Sequence, residues 1–254
     1  MPQIQINNNS SVQASKIVSL DSVQTSKAIN HIAFIMDGNG RWASKQNKKR
    51  IDGHKAGADT MQKIVDVCFD KGIKHVTIYA LSTENLKYRP KEEIDSLIDL
   101  VNSHLKNSSS YFKRLLKRDI KVEFFGDLSK FDDNILDTIK DVRSKTLHCT
   151  HGQFNIAINY GARDELAMAV NLCVDSNTKV DGDSLSKFLY TKNMPDPDII
   201  VRTGGDVRLS NFMLYQAAYS ELFFSKTLWP DFCERELDSI IEEFYTRKRN
   251  FGRV

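Results

Sequence analysis

The sequence predicts a single α/β domain, built as a six-stranded, mainly parallel sheet flanked by helices. Short apolar runs alternate with stretches of helical periodicity along the chain. Strands that alternate with helices pair in parallel and are covered on both faces. No linker rich in Pro, Gly or Ser divides the 254 residues, of which 41 % are hydrophobic and 27 % are charged. This length and composition are typical of one large globular domain.

Each predicted strand is a short apolar run bounded by polar or turn residues, and each predicted helix carries apolar residues three and four positions apart. The strands are predicted at residues 31–36, 75–81, 120–125, 154–159, 198–202 and 221–225. The helices are predicted at residues 54–71, after Pro90, and at 110–117, 132–147, 163–174, 210–218 and 234–245.

The ends of the chain and its bulk charge limit the functional classes. Residues 1–29 are rich in Asn, Ser, Gln and Val and lack a secretory signal. They are predicted to form a mobile tail before one folded domain at residues 30–254. No apolar run approaches the ~20 residues of a membrane span, so any membrane contact is expected to be peripheral. Four cysteines without a C-x-x-C pair fit a reducing cytoplasm. A net charge of +3 is far from a nucleic-acid-binding composition, so no nucleic-acid partner is expected.

Ligands of parallel sheets bind at the carboxyl ends of the strands, and the first strand is followed by Asp-Gly-Asn-Gly-Arg-Trp at residues 37–42. The glycines allow a ligand to approach the backbone closely. Asp37 is a hard oxygen ligand suited to Mg²⁺, and Arg41 offers a planar fork that matches phosphate oxygens. The alternative is a tight turn with a solvated aspartate.

Two further polar segments are candidates for substrate contacts. Lys48, Lys49, Arg50, His54 and Lys55 surround a predicted helix start, which attracts anions. The alternative is a solvated charge run, from which Arg50 and His54 stand apart because they flank Gly53. Ser-Thr-Glu-Asn at residues 82–85 follows the second strand and offers groups that orient a substrate; the alternative is a helix cap.

The fourth segment is Arg-Thr-Gly-Gly-Asp at residues 202–206, followed by Arg208 and Ser210. Two arginines around a glycine turn indicate an anion site, and Ser210 is expected to cap the helix predicted at residues 210–218. Glu221 begins the last strand and is a candidate second carboxylate for the metal. The alternatives are a structural salt bridge for Arg202 and a surface charge for Glu221.

Together, the four segments predict arginines and carboxylates at one edge of one sheet, as in an enzyme that binds diphosphate esters with arginines and Mg²⁺. The chain has no G-x-x-x-x-G-K-[ST] phosphate loop and no G-x-S-x-G nucleophile turn. Nucleotide hydrolysis through a P-loop and serine hydrolase chemistry are therefore disfavoured.

The motifs resemble those of the cis-prenyltransferases, the undecaprenyl diphosphate synthase family. The resemblance covers roughly residues 30–252 and is carried by several motifs in order. These are HIAFIMDGNGRWA from residue 31, GHKAG from 53, YALSTEN from 79, NYGAR from 159, DIIVRTGG from 198, SNFML from 210 and YSEL from 219 through Trp229 and Pro230.

The resemblance implies a homodimer of parallel-sheet subunits with a hydrophobic product tunnel. It implies a Mg²⁺-dependent reaction that adds isopentenyl diphosphate units to an allylic diphosphate, with farnesyl diphosphate as the expected starter. A product near C55 is expected, and residues 30–254 become the catalytic domain.

The same resemblance carries roles over to individual residues. Asp37 matches the catalytic aspartate and metal ligand, Asn85 the proposed proton acceptor, and Glu221 the second metal carboxylate. The allylic-diphosphate site is matched by Gly38, Asn39, Gly40, Arg41, Trp42, Arg50 and His54. Other substrate contacts are matched by Ser82, Thr83, Glu84, Leu86, Arg89, Arg202, Arg208, Leu209 and Ser210. An amide is a poor base, so Asn85 is expected to relay or orient the proton, with Asp37 or product phosphate as alternative acceptors.

The chain departs from the family pattern at a few positions. Leu86 stands where the family usually has Trp, one extra residue precedes Arg89, and Val207 replaces a common His. Tunnel-lining candidates are Val122, Phe124, Ala80 and Leu81. The basic C-terminal segment, residues 247–253, is expected either to reach toward the substrate site or to remain a disordered tail.

Three rival classes remain to be compared with this expectation. All-helical trans-prenyltransferases use D-D-x-x-D motifs, whereas this chain has only DDNILD at residues 132–137. A subunit that keeps the fold but has lost activity is opposed by Asp37, Asn85 and Glu221. A nucleic-acid-binding module is opposed by the weak net charge and by the lack of aromatic platforms among the basic residues.

Overall fold

A computed structural model describes residues 28–106 and 108–247 of the chain. Its strands are β1 (His31–Ile35), β2 (His75–Ser82), β3 (Ile120–Phe125), β4 (Gly152–Tyr160), β5 (Ile199–Arg202) and β6 (Glu221–Phe224). Its α-helices are α1 (Asn39–Lys45), α2 (Arg50–Asp70), α3 (Thr83–Tyr88), α4 (Lys91–Leu105), α5 (Ser110–Lys117), α6 (Asp133–Thr146), α7 (Ala162–Asp175) and α8 (Glu234–Thr246). The predicted single six-stranded α/β sheet is confirmed.

All pairings in the sheet are parallel, and the strand order is β3-β4-β2-β1-β5-β6. β1 lies near the middle and pairs with β2 on one side and β5 on the other. The chain proceeds from β1 to β2 in one direction and later crosses to β5 in the other. A crevice therefore opens between the carboxyl ends of β1 and β5, which is where ligands bind in sheets of this kind.

Both faces of the sheet are buried, as expected for parallel strands. All five residues of β1 are buried, and they alternate between two layers. Ile32 and Phe34 belong to the larger apolar core beneath α2, α4, α5 and α6. Ala33 and Ile35 belong to a smaller core that contains Phe212. The period of two along a strand puts these pairs on opposite faces.

The structure corrects several predicted boundaries. α1 and α3 were not predicted, and α2 begins at Arg50 rather than at residue 54. The α-helix predicted at residues 210–218 is wrong, because only a short 3-10 helix forms at Gln216–Tyr219. Ser210, Asn211 and Met213 have left-handed φ angles of 49°, 63° and 45°, which a right-handed helix cannot accommodate. Ser210 therefore does not cap a helix.

Most of the predicted N-terminal tail, residues 1–27, lies outside the described residues. At the end of that predicted tail, however, Ile29 is only 6 % exposed and belongs to the core, so the folded region extends to it. Among the helices of residues 28–106 and 108–247, none has the length and apolar character to cross a bilayer.

Candidate active site

The site begins where β1 ends, because the chain turns sharply between Ile35 and α1. Gly38 has a φ of 109°, a left-handed conformation that glycine adopts without strain. A Cβ at this position would also lie 2.9 Å from the Leu228 side chain. The turn places Asp37 beside the end of β5, since Ile35 and Arg202 are paired in the sheet. The predicted proximity of these two segments is therefore present in the fold.

A cluster of charges lies at the carboxyl ends of β1 and β5, and we call Asp37, Arg41, Arg202, Asp206 and Arg208 the sheet-edge cluster. The Asp37 carboxylate is 2.8 Å from the Arg202 guanidinium and 3.1 Å from that of Arg41. The Asp206 carboxylate is 3.1 Å from Arg208 and 3.5 Å from Arg202. Three guanidinium groups thus converge on two carboxylates.

Arg202 is the most firmly held member of the sheet-edge cluster. Its side chain is 5 % exposed, and Nη1 donates to Ser210 Oγ and to the Arg208 carbonyl, each at 2.6 Å. Burial by itself would raise the pKa of Asp37, but hydrogen bonds and charge from Arg202 and Arg41 outweigh it and lower that pKa. Asp37 is consequently a carboxylate at neutral pH.

A second cluster, which we call the helix-start cluster, contains Arg50, His54, Arg89 and Glu93. The Glu93 carboxylate accepts a hydrogen bond from Arg89 Nη1 at 2.9 Å. It forms an ion pair with Arg50 Nε at 2.9 Å and lies 3.6 Å from His54 Nε2. Burial lowers the pKa of His54 to about 4, with the Arg89 charge acting in the same direction. The ring is therefore neutral near pH 7.

Glu93 was not identified from the sequence, although it joins two predicted substrate-binding arginines. The available signal was the spacing of Arg89 and Glu93, which are four residues apart and thus neighbours on a helical surface. That spacing is common for solvated ion pairs, so it did not distinguish this glutamate from its neighbours on α4.

The segment after β2 combines a structural role with a place in the site. Ser82 Oγ accepts from the Asn85 backbone N–H at 3.0 Å, so the helix-cap interpretation is confirmed. Glu84 Oε1 accepts from Asn211 Nδ2 at 2.9 Å. Thr83 Oγ1 donates to Asp164 at 3.1 Å. Ser82, Glu84 and Asn85 face the same cavity as Asp37.

This cavity has a volume of about 580 Å³ and runs from a charged mouth into an apolar interior. Its polar lining includes Asp37, Gly38, Asn39, Gly40, Arg50, His54, Ser82, Glu84, Asn85, Arg89, His104, Arg202, Ser210 and Asn211. Its apolar lining includes Met61, Ala80, Leu81, Leu97, Ile98, Val101, Leu105, Phe154, Ile156 and Ile158. Residues of both charged clusters and a set of apolar side chains therefore line the same cavity.

Two of the four predicted tunnel-lining residues line this cavity. Ala80 and Leu81 do, whereas Val122 and Phe124 do not. Phe124 is 2 % exposed and lies on β3, an outer strand of the sheet. Its neighbour β4 supplies Phe154, Ile156 and Ile158 to the lining instead, and none of these was among the predicted tunnel-lining residues.

Several predicted site residues lie beside the cavity rather than in its lining. Arg41 and Arg208 lie at the rim, in the sheet-edge cluster. Trp42 Nε1 donates to Asp231 at 2.7 Å, and Leu209 packs against the smaller core. Thr83 is also absent from the lining. Leu86 lines a separate groove of about 380 Å³ against Phe131 and Ile135.

Glu221 lies at the opposite end of the sheet from Asp37. β6 is parallel to the other strands, so its first residue is level with Ile199 and, through it, with Ile32. β1 ends at Ile35, three residues or roughly 10 Å beyond Ile32 along the strand direction, and Asp37 follows in the turn after it. Within one chain the two carboxylates are not brought together, contrary to the expected single edge. Glu221 instead accepts from Arg247 at 2.8 Å.

The C-terminal basic segment is described only at its first residue. Arg247 pairs with Glu221 and Glu243, and its guanidinium lies 3.9 Å from the centre of the Phe223 ring. Residues 248–253, for which an approach to the substrate site was expected, lie outside the described part of the chain.

Fold and site together define an α/β enzyme in which a mouth suited to phosphate groups opens into an apolar cavity. Comparison with known proteins gives the same class. The family model for undecaprenyl diphosphate synthases matches residues 35–252. An isoprenyl transferase of Wolinella succinogenes is 45 % identical over 226 residues, which are 89 % of this chain and 97 % of the relative.

Solved structures also resemble this chain. A probable undecaprenyl diphosphate synthase from Campylobacter jejuni has a TM-score of 0.74 and 36 % identity over 89 % of this chain and 99 % of its own. Lavandulyl diphosphate synthase from Lavandula x intermedia, in complex with dimethylallyl diphosphate, has a TM-score of 0.83 and 30 % identity over 88 % of this chain and 98 % of its own.

The chain belongs to the undecaprenyl diphosphate synthase family of cis-prenyltransferases, and it is an enzyme of the isoprenyl transferase type. The resemblance seen in its motifs is thereby confirmed. The parallel sheet and the family match exclude the all-helical trans-prenyltransferases. The activity class is elongation of prenyl chains with cis double bonds.

Proposed function

We propose that this enzyme condenses isopentenyl diphosphate with an allylic diphosphate, with farnesyl diphosphate as starter, to give a long polyprenyl diphosphate such as undecaprenyl diphosphate. The observation that carries the proposal is the single cavity of about 580 Å³, whose mouth holds two arginine clusters and whose interior is apolar. A diphosphate ester with a hydrocarbon chain has the same division into a charged head and an oily tail.

Mg²⁺ is the proposed metal, and the donor set fits it. No group of three His, Cys, Asp or Glu side chains within residues 28–106 and 108–247 is placed to hold a metal. Mg²⁺, however, binds through one or two carboxylates and completes its shell with substrate phosphates and water. Asp37 is ionised and 31 % exposed, so it is the proposed ligand. Bound there, the ion supplies positive charge to the diphosphate groups.

The arginines are proposed to stabilise the diphosphate that leaves when the bond between the allylic carbon and its oxygen breaks. When diphosphate leaves the allylic carbon, negative charge grows on its oxygens, and donors already held in place stabilise that charge. We assign Arg50, Arg89 and neutral His54, with the backbone of residues 38–40, to the allylic diphosphate. Arg202, Arg208 and Ser210 are assigned to isopentenyl diphosphate. Arg41, Trp42, Thr83, Leu86 and Leu209 support these sites from positions outside the lining.

Asn85 is proposed to orient the proton that leaves after the new carbon–carbon bond forms. Its side chain faces the cavity from the first turn of α3, and Ser82 fixes that turn. An amide does not hold a proton at neutral pH, so Asp37 or the product diphosphate is the final acceptor. Asn85→Ala is expected to lower kcat while leaving KM for both substrates within about threefold.

A homodimer is part of the proposal. α7 exposes Val170 and Val174, which are 50 % and 71 % accessible and lie one turn apart, and Tyr219 is 68 % exposed. Apolar side chains presented in this way are typical of protein interfaces. Because Glu221 lies far from Asp37 in its own chain, any role as a metal ligand requires it to act in the site of a second copy.

This arrangement can be tested by mixing two inactive variants. In a heterodimer of Asp37→Asn and Glu221→Gln chains, one site carries both defects and the other carries neither. Activity that returns after co-refolding would support a shared site. Activity that stays at the level of the single variants, with heterodimers verified by mass, would remove Glu221 from the metal site.

A cytoplasmic enzyme with at most peripheral membrane contact is proposed from its family and from its product.

The direct test of the reaction uses purified protein with farnesyl diphosphate, radiolabelled isopentenyl diphosphate and Mg²⁺, with EDTA and Asp37→Ala as controls. A Mg²⁺-dependent ladder ending at one long product is expected. Absence of incorporation from folded protein across several starters would contradict the proposal and favour the non-catalytic alternative.

A further inference from the structure

The loop after β5 contains an asparagine that the substrate assignments above do not use. Asn211 has a left-handed φ of 63°, a conformation that asparagine tolerates better than most residues. It follows Ser210, whose hydroxyl accepts a hydrogen bond from Arg202. Asn211 therefore lies directly next to the anchor of the most buried arginine in the sheet-edge cluster.

The polar groups of Asn211 connect three parts of the site. Its side-chain Nδ2 donates to Glu84 Oε1 at 2.9 Å, and its Oδ1 accepts from the Arg163 backbone N–H at 2.9 Å. Its backbone carbonyl accepts from Ala162 N–H at 2.8 Å. One residue thus joins α3, the first turn of α7 and the loop that holds Arg202.

Gly161 lies against the Asn211 and Thr83 side chains. A Cβ added at Gly161 would lie 2.7 Å from Asn211 Nδ2 and 2.6 Å from Thr83 Oγ1. A larger residue at position 161 would therefore displace the Asn211 amide or the Thr83 hydroxyl from its present place. Since Glu84 precedes Asn85 on α3, its bond to Asn211 fixes the end of the helix that presents Asn85 to the cavity.

We propose that Asn211 is a positioning residue, whose amide holds the Asn85 helix in register with the Arg202–Ser210 diphosphate cradle. Asn211 also lines the cavity, but its side-chain amide is engaged by Glu84 and by the Arg163 N–H, so in this role it acts through those contacts and not through the substrates. It sets the distance between the group that orients the departing proton and the diphosphate of the substrate that loses that proton. The inference rests on the proposed function and extends it to a residue that sequence reasoning quoted only as part of a motif.

The test reverses the donor and the acceptor of the hydrogen bond between Asn211 and Glu84. Asn211→Asp keeps the acceptor for Arg163 N–H but places a carboxylate against that of Glu84. Glu84→Gln removes the Glu84 charge. In the double variant, the new amide at position 84 can donate to the new carboxylate at position 211, so the bond is restored in reverse with the same net charge. kcat and both KM values are measured for all three proteins, with melting temperatures as the measure of folding.

We expect Asn211→Asp to lower kcat roughly tenfold to a hundredfold, with much smaller changes in KM for the two diphosphates. The double variant is expected to regain at least about tenfold of that loss. The melting temperatures are expected to stay close to that of the wild type, whereas a purely structural role would lower kcat and melting temperature together. An unchanged kcat in Asn211→Asp, or a double variant no better than the product of the single effects, would overturn the inference.

Two controls keep the result interpretable. If Asn211→Asp does not fold, Asn211→Gly takes its place, because glycine accepts the left-handed backbone and only the amide is lost; a lower kcat is then expected, and an unchanged one overturns the inference. Wild-type enzyme is assayed in parallel. An inactive wild type would contradict the proposed function itself, whereas an active wild type with an unaffected variant contradicts only the role of Asn211.

Discussion

The two charged clusters at the cavity mouth differ in how their arginines are held. In the sheet-edge cluster, Arg202 is fixed by Asp37, by Ser210 and by a backbone carbonyl at the end of a strand. In the helix-start cluster, Arg50 and Arg89 share one carboxylate, that of Glu93. The first arrangement is set by the sheet and has several independent contacts, while the second depends on a single side chain.

This difference predicts how substitutions in each of the two clusters affect the enzyme. The sheet-edge cluster should tolerate few substitutions, because its groups are pre-positioned for chemistry. The helix-start cluster should respond more gently, mainly in substrate affinity, because helices α2 and α4 can adjust when the shared carboxylate is altered.

The largest effect is expected for Asp37→Asn. The substitution keeps the shape but removes the charge that pairs with two arginines and binds the metal, so kcat/KM should fall about 10³-fold or more. Steady-state assays over a range of Mg²⁺ concentrations measure it. Asp127→Asn is the matched control, since Asp127 follows β3 and its side-chain carboxylate accepts from the backbone N–H and Oγ of Ser129. Equal losses in both variants would contradict a special role for Asp37.

A loss of about 10²-fold in kcat/KM is expected for Arg202→Lys. Lysine keeps the charge but cannot contact Asp37, Ser210 and the Arg208 carbonyl at once from a site that is 5 % exposed. The comparison is Arg208→Lys, whose side chain is 62 % exposed and should lose less. A larger loss at position 208 would mean that the fixed geometry of Arg202 is not what matters.

Acidification should lower the free energy of unfolding of the protein through His54 in the helix-start cluster. The pKa of His54 is about 4 in the folded protein and 6.5 when unperturbed, so below pH 6.5 protons bind the unfolded chain first. The neutral ring therefore contributes to stability above pH 6.5, and this contribution is lost as the pH falls toward 4. Between pH 7 and pH 5, the free energy of unfolding should fall by an amount on the order of 2 kcal/mol. Urea unfolding of wild type and His54→Gln should show the smaller pH dependence in the variant. Identical slopes would contradict the buried, neutral ring.

The smallest effect, about tenfold, is expected for Glu93→Gln. Losing the shared carboxylate should raise KM for the allylic diphosphate and change kcat little, because Arg50 and Arg89 remain but are no longer aligned. Glu92→Gln is the control on the exposed side of the same helix. Tighter binding in Glu93→Gln would show that Glu93 competes with substrate for the arginines instead of positioning them.

Much of the fold could be predicted from sequence, because parallel strands buried on both faces produce short apolar runs that are hard to mistake. The helix expected at residues 210–218 failed for a specific reason. Left-handed residues at 210, 211 and 213 are not encoded in apolar periodicity. α1 was missed because its sequence, NGRWASK, opens with a glycine-rich turn and has no apolar stripe.

The candidate site was predictable at the carboxyl ends of strands, where Ser82 ends β2 and Asp37 follows β1. Its long-range connections were not. Glu93 and Asn211 act through contacts with residues brought together only by the fold. The predicted place of Glu221 was wrong for a different reason. Glu221 begins β6, and in a parallel sheet the first residues of strands lie at the edge opposite the residues that follow strand ends.

The central claim is that one cavity holds the diphosphates at its charged mouth and the growing chain in its apolar interior. A crystal structure with isopentenyl diphosphate, Mg²⁺ and a thio-analogue of farnesyl diphosphate that cannot ionise would test it most directly. The account predicts one diphosphate on Arg50, His54 and Arg89 and the other on Arg202 and Ser210, with the farnesyl tail against Leu97, Val101 and Phe154. A tail lying outside this cavity, with the interior closed, would contradict the account.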